Sequence, residues 1–392
     1  MADAPHRDQS DAQAMTDQQR AEAKQYGRRE LYCSLADKAL DLVYLAAVAL
    51  WAAKPLDAAL AELPWLGPNG SLRLLALFAV VTLGHMVVSF PLSFYAGHVL
   101  EHRFGLSRQS LARWLGRYAK RNLLALVFGA ALVLGLFWLI WTTANYWWLV
   151  AAGAFFVVSV LMGQLAPVLI LPLFYKIEKL QAPELAERIR RLAEGTGLSI
   201  EGVYRIGLSA ETSKANAMLA GLGRTRRVLL ADTLLEGFEP DEIEVIFAHE
   251  IGHHVHRHIH KLIAAGLIFS VGGFYVCHGV LSVWAGGQVD YAELPVSTLP
   301  AIMLILTVFG LVFEPLQNAI SRHFERQSDR YALERTALAD AYRSAFHKLS
   351  RLNKSDPDPH WLEVALFHSH PPIAERLALA DSGAEMGSRA ME

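Results

Sequence analysis

The chain has 392 residues, enough for two or three domains at roughly 150 residues each, and it is 53% hydrophobic and only 19% charged, with a mean hydropathy of +0.26. Ordinary soluble domains carry about 25% charged residues, so the composition argues against a purely soluble protein. A net charge of -2 gives no basic excess for nucleic acid, and two distant cysteines, Cys33 and Cys277, give neither a disulfide framework nor a Cys-x-x-Cys metal knuckle.

Residues 1–30 are polar and mixed in charge, without the basic patch, apolar run and small-residue cleavage site of a signal peptide, and read as a disordered arm. An N-terminal membrane region is expected over 31–175. Runs free of Asp, Glu, Lys and Arg cover 74–100, 122–175 (interrupted by the polar turn Thr142–Asn145), 262–289 and 294–313. A bilayer core of about 30 Å needs about 20 helical residues, which these runs supply. Leu40 to Ala53 is shorter and contains Asp41, so it reads as a weak span or an amphipathic surface helix. Including it gives six spans near 38–55, 73–98, 122–141, 146–174, 262–285 and 295–314. Lys and Arg then concentrate in the N-terminal arm and in 103–121, which places both termini and the segment from Lys176 to Lys261 on the cytoplasmic side. Trp141, Tyr146, Trp147 and Trp148 read as an interfacial aromatic belt. Pro91, Pro167, Pro172, Gln164 and His85 need protein neighbours inside the spans, either because the bundle encloses something polar or because the helices kink there.

A catalytic segment follows over 176–260. Leu185, Ile189 and Leu192 have helical spacing and Gly195 is a stop, which predicts a surface helix over 181–195. Val203 to Leu208 and Arg226 to Ala231 are β-prone, with Lys214 to Ala220 between them and a turn at Gly221 to Arg224, which predicts a small antiparallel sheet. Asp232 is placed to cap a short helix, and Pro240 with the acids after it opens a long one. That long helix contains His249-Glu250-Ile251-Gly252-His253. Residues four apart share a helix face, so His249 and His253 can ligate one Zn²⁺, and Glu250 can act as general base on the water that the metal activates.

A catalytic zinc ordinarily takes a third protein ligand. The helix leaving the sixth span carries Glu325, with Asp329 one turn on to orient a zinc histidine; His323 or a downstream histidine competes for the third place. His254, His256, His258 and His260 would overfill one site, so most of them are expected to face solvent or headgroups. No paired carboxylate accompanies them, which argues against a second metal. A C-terminal catalytic segment is expected over 321–380 and a disordered tail over 381–392.

At these residues the chain resembles the integral-membrane zinc metalloproteases of the CAAX prenyl protease type. The likeness is carried by Asn216-Ala217 with Gly221, by His249 to His253, by Ser321-Arg322-x-x-Glu325-x-x-x-Asp329, and by Ser369-His370-Pro371-Pro372-x-x-x-Arg376. Tyr95 to Leu106 and Pro172-Leu173-Phe174 extend it, so that it spans about 30–380. The resemblance implies an all-α polytopic membrane bundle joined to a mainly helical zincin-like domain with a small sheet. It implies Glu325 as third ligand, Asn216 and Ala217 on an edge strand that pairs with substrate, and His370 at the scissile bond or oxyanion. Arg376, Asp329 and Arg322 would support the ligands, and the spans would enclose a water-filled chamber. Eukaryotic members have seven spans against the six counted here.

The expected function is therefore zinc endopeptidase action on a peptide or protein, in the family one prenylated at a C-terminal CAAX motif, with the lipid bilayer as the other partner. An Ala-, Leu- and Arg-rich composition points to a bacterial inner membrane, where quality-control cleavage of unprenylated membrane proteins is the alternative. A protease with its motif inside the bilayer is disfavoured by the basic and His-rich stretch after His253. A zinc-binding scaffold or transporter without catalysis is disfavoured by the free base Glu250.

Overall fold

The structure, a computed structural model, describes residues 15–221 and 226–389, with side chains to residue 381; the expected turn lies, from Leu222 to Arg224, outside the described residues. Helix α1 (Asp17–Ala47) opens on a capping box in which Thr16 and Gln19 bond reciprocally. Residues 17–30, expected to be a disordered arm, are thus helical. The stabilising partner lies far along the chain: Tyr26 is buried, packs edge-on against Phe104, and its hydroxyl donates to Glu101 Oε1 at 2.5 Å. Through a wide turn at Val48–Ala52 the chain enters α2 (Ala53–Ala61), so the weak first span lies within one continuous helical stretch, Asp17–Ala61, that is apolar enough over part of its length to cross a membrane.

Helix α3 (Gly70–Phe94) is capped by Asn69, whose Oδ1 accepts from the Leu72 N–H, and widens after Pro91. Helices α4 (Leu111–Thr143) and α5 (Trp147–Leu165) reverse at Ala144, which adopts φ 45°, and pack on each other. Five stretches of the described residues are long and apolar enough to cross a membrane, and the one from Leu111 to Phe174 is this pair. Trp147 departs from the expected belt. It is fully buried in the bundle core, and its indole N–H donates to His278 Nδ1 at 3.1 Å, while Tyr146 stays exposed. His85 meets Asp41 at 2.7 Å, the protein neighbour that a polar group among spans requires.

Beyond the bundle lies a four-stranded sheet of β1 (Ile177–Lys179), β2 (Ile200–Ile206), β3 (Ala217–Ala220) and β4 (Arg226–Ala231), in the order β1-β2-β4-β3. The expected antiparallel sheet is in fact mixed, because β2 and β4 pair in parallel. The chain leaves β2 and runs through 207–216 to the far side before β3 pairs antiparallel with β4, so β4 returns in the direction of β2. Among the described residues β3 pairs with β4 alone and forms a sheet edge.

Helix α6 (Pro183–Ala193) and helix α7 (Asp232–Gly237) flank the sheet. Asp232 does not cap α7. It is buried, and its carboxylate accepts from the Leu208 and Ser209 N–H groups at 2.8 and 2.9 Å, tying the crossover to the sheet. Then come α8 (Pro240–Val255), the span α9 (His258–Trp284), and α10 (Leu299–Thr336), one 38-residue helix. Helices α11 (Ala339–Asn353), α12 (Trp361–Phe367) and α13 (Ile373–Arg389) complete the chain, and the backbone of the expected tail is helical to Arg389. The bundle and the sheet with α8 have separate apolar cores, the second built on Ile243, Ile246, Phe247, Ala248 and Ile251 of α8.

Candidate metal centre

Helix α8 begins where the sequence pattern places it, with Pro240 in its first turn and Glu239 and Glu242 closing a capping box. Its mid-region is sheathed by the sheet, α10 and α11. The helical period sets His249 and His253 on one face with Nε2 atoms 3.2 Å apart. Helix α10 approaches at Gly252: a methyl group there would lie 2.9 Å from Ser328 Cα, so only glycine permits the contact. That approach brings in Glu325, whose Oε2 lies 3.2 Å from His249 Nε2 and whose Oε1 lies 3.3 Å from His253 Nε2.

These three edges test whether the residues fit a metal. A tetrahedral divalent ion with bonds of about 2.0–2.1 Å needs donor atoms roughly 3.3–3.4 Å apart; the two imidazole Nε2 atoms are 3.2 Å apart, a different Glu325 oxygen lies 3.2 and 3.3 Å from each, and one donor atom from each residue lies within 4.8 Å of the others, so the three can close on one ion. Glu325 Oε2 is buried without a well-formed hydrogen bond, the condition of an atom whose partner is a cation. Among the described residues this is the one cluster of His, Cys, Asp and Glu donors with such closeness.

The supporting residues explain why the donors face inward. Asp329, one turn after Glu325, accepts from His249 Nδ1–H at 2.9 Å, which leaves the Nε2 lone pair facing the centre. Arg376 of α13 donates to both Asp329 oxygens, at 2.9 and 2.5 Å, and lies over the Phe346 ring. Burial drives the Asp329 carboxyl upward, but Arg376 and His249 together hold it below the usual carboxylate range. Burial likewise pulls His249 down, and the Asp329 charge reverses this and lifts it to about 9. Glu325 is held below its ordinary value despite burial, by the two histidines beside it. Glu250 behaves oppositely: burial raises it against the pull of His249 and His253. It lines a cavity of about 990 Å³ together with Asn216, Ala217, His370 and Arg376.

His370 Nε2 lies 3.6 Å from Glu325 Oε1 with most of its side chain exposed to that cavity. Asn216 is exposed at the start of the sheet edge, where its carbonyl accepts from the Ala231 N–H at 3.0 Å. Arg322 is the exception among the expected supports. One turn before Glu325 it donates to the carbonyls of Val364 and His368 at 2.7 and 2.6 Å rather than to a ligand, anchoring the segment that leads to His370. His323 is exposed and outside the cluster. His258, expected with its neighbours at the surface, is 1% exposed. Sequence reasoning also missed Gly252, and it missed Tyr26, Glu30 and Ser34 of α1, which line the same cavity.

The sequence pattern of peptidase family M48 matches residues 179–383, and that of the CAAX prenyl protease N-terminal region, described as five membrane helices, matches 6–176. Within the latter stretch the described residues hold three apolar stretches long enough to cross, Asp17–Ala61, Gly70–Arg103 and Leu111–Phe174, the last of them the α4–α5 pair. The chain is 32% identical over 320 residues to CAAX prenyl protease 1 of Saccharomyces cerevisiae, covering 75% of this chain and 69% of that one. It is 29% identical over 306 residues to the uncharacterized metalloprotease YhfN of Bacillus subtilis, covering 77% and 72%. The crystal structure of S. mikatae Ste24p superposes with a TM-score of 0.80 at 25% identity, covering 94% of this chain and 89% of the other.

Proposed function

This chain belongs to peptidase family M48 and is a CAAX prenyl protease-like, multi-pass membrane metalloprotease, and from that premise we propose that it hydrolyses peptide bonds with a Zn²⁺ held by His249, His253 and Glu325. The convergence of two imidazoles and one carboxylate, with a donor atom from each within 4.8 Å of the others, is the observation that carries the choice of zinc, since this ligand set is usual in open catalytic sites. When bound, zinc supplies Lewis acidity that polarises the scissile carbonyl and acidifies water.

The protein residues do the rest. Glu250 lies next to His249 on the cavity wall and takes the proton of the attacking water; its raised affinity for protons suits it to hand that proton on to the leaving amine. The edge of β3, with Asn216 and Ala217 at its start, binds the substrate backbone as an added strand. His370, exposed beside Glu325, donates to the oxyanion. Asp329 and Arg376 hold His249 in its ligating tautomer. The Lys and Arg distribution favours the cytoplasmic side for this site, and the Ala-, Leu- and Arg-rich composition favours a bacterial inner membrane. The substrate is a peptide or protein, and the name of the yeast relative makes a prenylated CAAX terminus the first to try.

Purified full-length protein in detergent, given matched peptides with and without a farnesyl group, tests the reading. Cleavage should stop with a chelator, return with zinc, and fall by about 10²–10⁴-fold in Glu250→Gln. Undiminished turnover in that variant overturns the mechanism. Equal cleavage of both peptides would point to quality-control substrates.

A further inference from the structure

His253 is tied to the protein by a relay that the catalytic description leaves unused. After α8 the chain reverses at Arg257, which adopts the left-handed φ of 56°, and the first residue of α9 folds back beneath the metal centre. There His258 Nδ1 lies 3.0 Å from His253 Nδ1, and His258 Nε2 lies 2.8 Å from Gln327 Oε1 on α10. The His258 ring is 1% exposed and stacks on Phe324 with centroids 4.2 Å apart and planes 10° from parallel.

We propose that His258 is a positioning residue that fixes His253 in its metal-binding tautomer, with Gln327 setting the tautomer of His258 in turn; this rests on the metal-site reading above. The proton assignments form a single consistent series. The Gln327 carbonyl oxygen only accepts, so His258 carries its proton on Nε2 and presents a lone pair at Nδ1. That lone pair can accept only if His253 carries its proton on Nδ1, which leaves His253 Nε2 bare and facing Glu325 and His249. The alternative tautomer of His253 would place two lone pairs against each other at 3.0 Å and an N–H at the metal. The centre is thus held from both sides by different means, Asp329 with Arg376 behind His249 and the neutral His258–Gln327 relay behind His253.

The test is zinc affinity of the full-length chain in detergent, measured by competition with a chromophoric chelator, so that turnover is not the readout. His258→Phe keeps a flat ring for Phe324 and removes the acceptor; it should weaken zinc binding about 10–100-fold. His258→Asn returns an acceptor at the Nδ1 position and should stay within about threefold of the parent. Gln327→Leu, which leaves His258 in place, should fall between them and serves if His258→Phe does not fold. Zinc bound as tightly by His258→Phe as by the parent overturns the proposal, as does equal weakening by the Phe and Asn variants with Gln327→Leu unaffected. If the parent itself binds no zinc, the metal-site reading fails first and the relay with it.

Discussion

Helices α3 and α8 are both rich in apolar residues, yet they face different surroundings. On α3, Leu74, Leu77, Phe78 and Val81 are buried against the bundle, while Val80, Leu83 and Val87 form an exposed stripe, with Val87 74% exposed. On α8 the apolar residues Ile243, Val245, Ile246, Phe247, Ala248 and Ile251 are all buried, because the sheet, α10 and α11 cover the helix along its middle. The polar residues follow suit. His85 on α3 meets Asp41 in a pair that remains about a third exposed, whereas His249 on α8 needs Asp329, and Asp329 needs Arg376, each almost sealed from solvent. A helix that faces hydrocarbon can leave apolar side chains uncovered, but one enclosed by protein must give each polar group a designated partner.

The contrast is tested most severely at Arg376. Arg376→Leu leaves Asp329 buried and unpaired, and should cost about 3–5 kcal/mol, seen as a lowered unfolding midpoint in detergent. A midpoint equal to the parent's would show that the Asp329 charge is not sealed. Next comes the lipid side, where Val87→Lys should reduce membrane insertion by about 2.5–3.5 kcal/mol in a reporter assay of span integration. Normal insertion would place that stripe against water instead. The smallest expected effect lies at the α8–α10 contact. Gly252→Ala should cost about 1–3 kcal/mol by overpacking, because its methyl meets Ser328 at 2.9 Å, whereas Gly266→Ala in α9, with nothing within 4 Å, should leave stability unchanged. Equal melts for the two would mean that α10 yields freely at Gly252.

What could be read from sequence divides along the same line. His249, Glu250 and His253 were legible because their relation is local, set by the rise of one helix. Glu325 could be proposed but not chosen over His323 by spacing, since the two lie on a helix whose approach depends on Gly252, and the family motif supplied the choice. The apolar spans were visible from length alone, whereas the helicity of residues 17–30 was not, because Tyr26 is held by Glu101 and Phe104 from a later part of the chain. Strand segments were recognisable, but the parallel pairing of β2 with β4 follows from a crossover that periodicity does not encode. Trp147 and His258 misled for one reason: amphipathic residues near a membrane boundary look alike in sequence whether they face headgroups or a packed interior.

The 38 residues of α10 form one unbroken rod, threaded through the apolar stretch and ending beyond Glu325, and α9 leaves the two histidines directly for the lipid. The hydrolytic apparatus is therefore not a detachable head on an anchor. Excising the sheet and α8 would abandon the carboxylate on a helix rooted in the bilayer, so no water-soluble fragment of this chain can be cut that keeps all three ligands on their native supports.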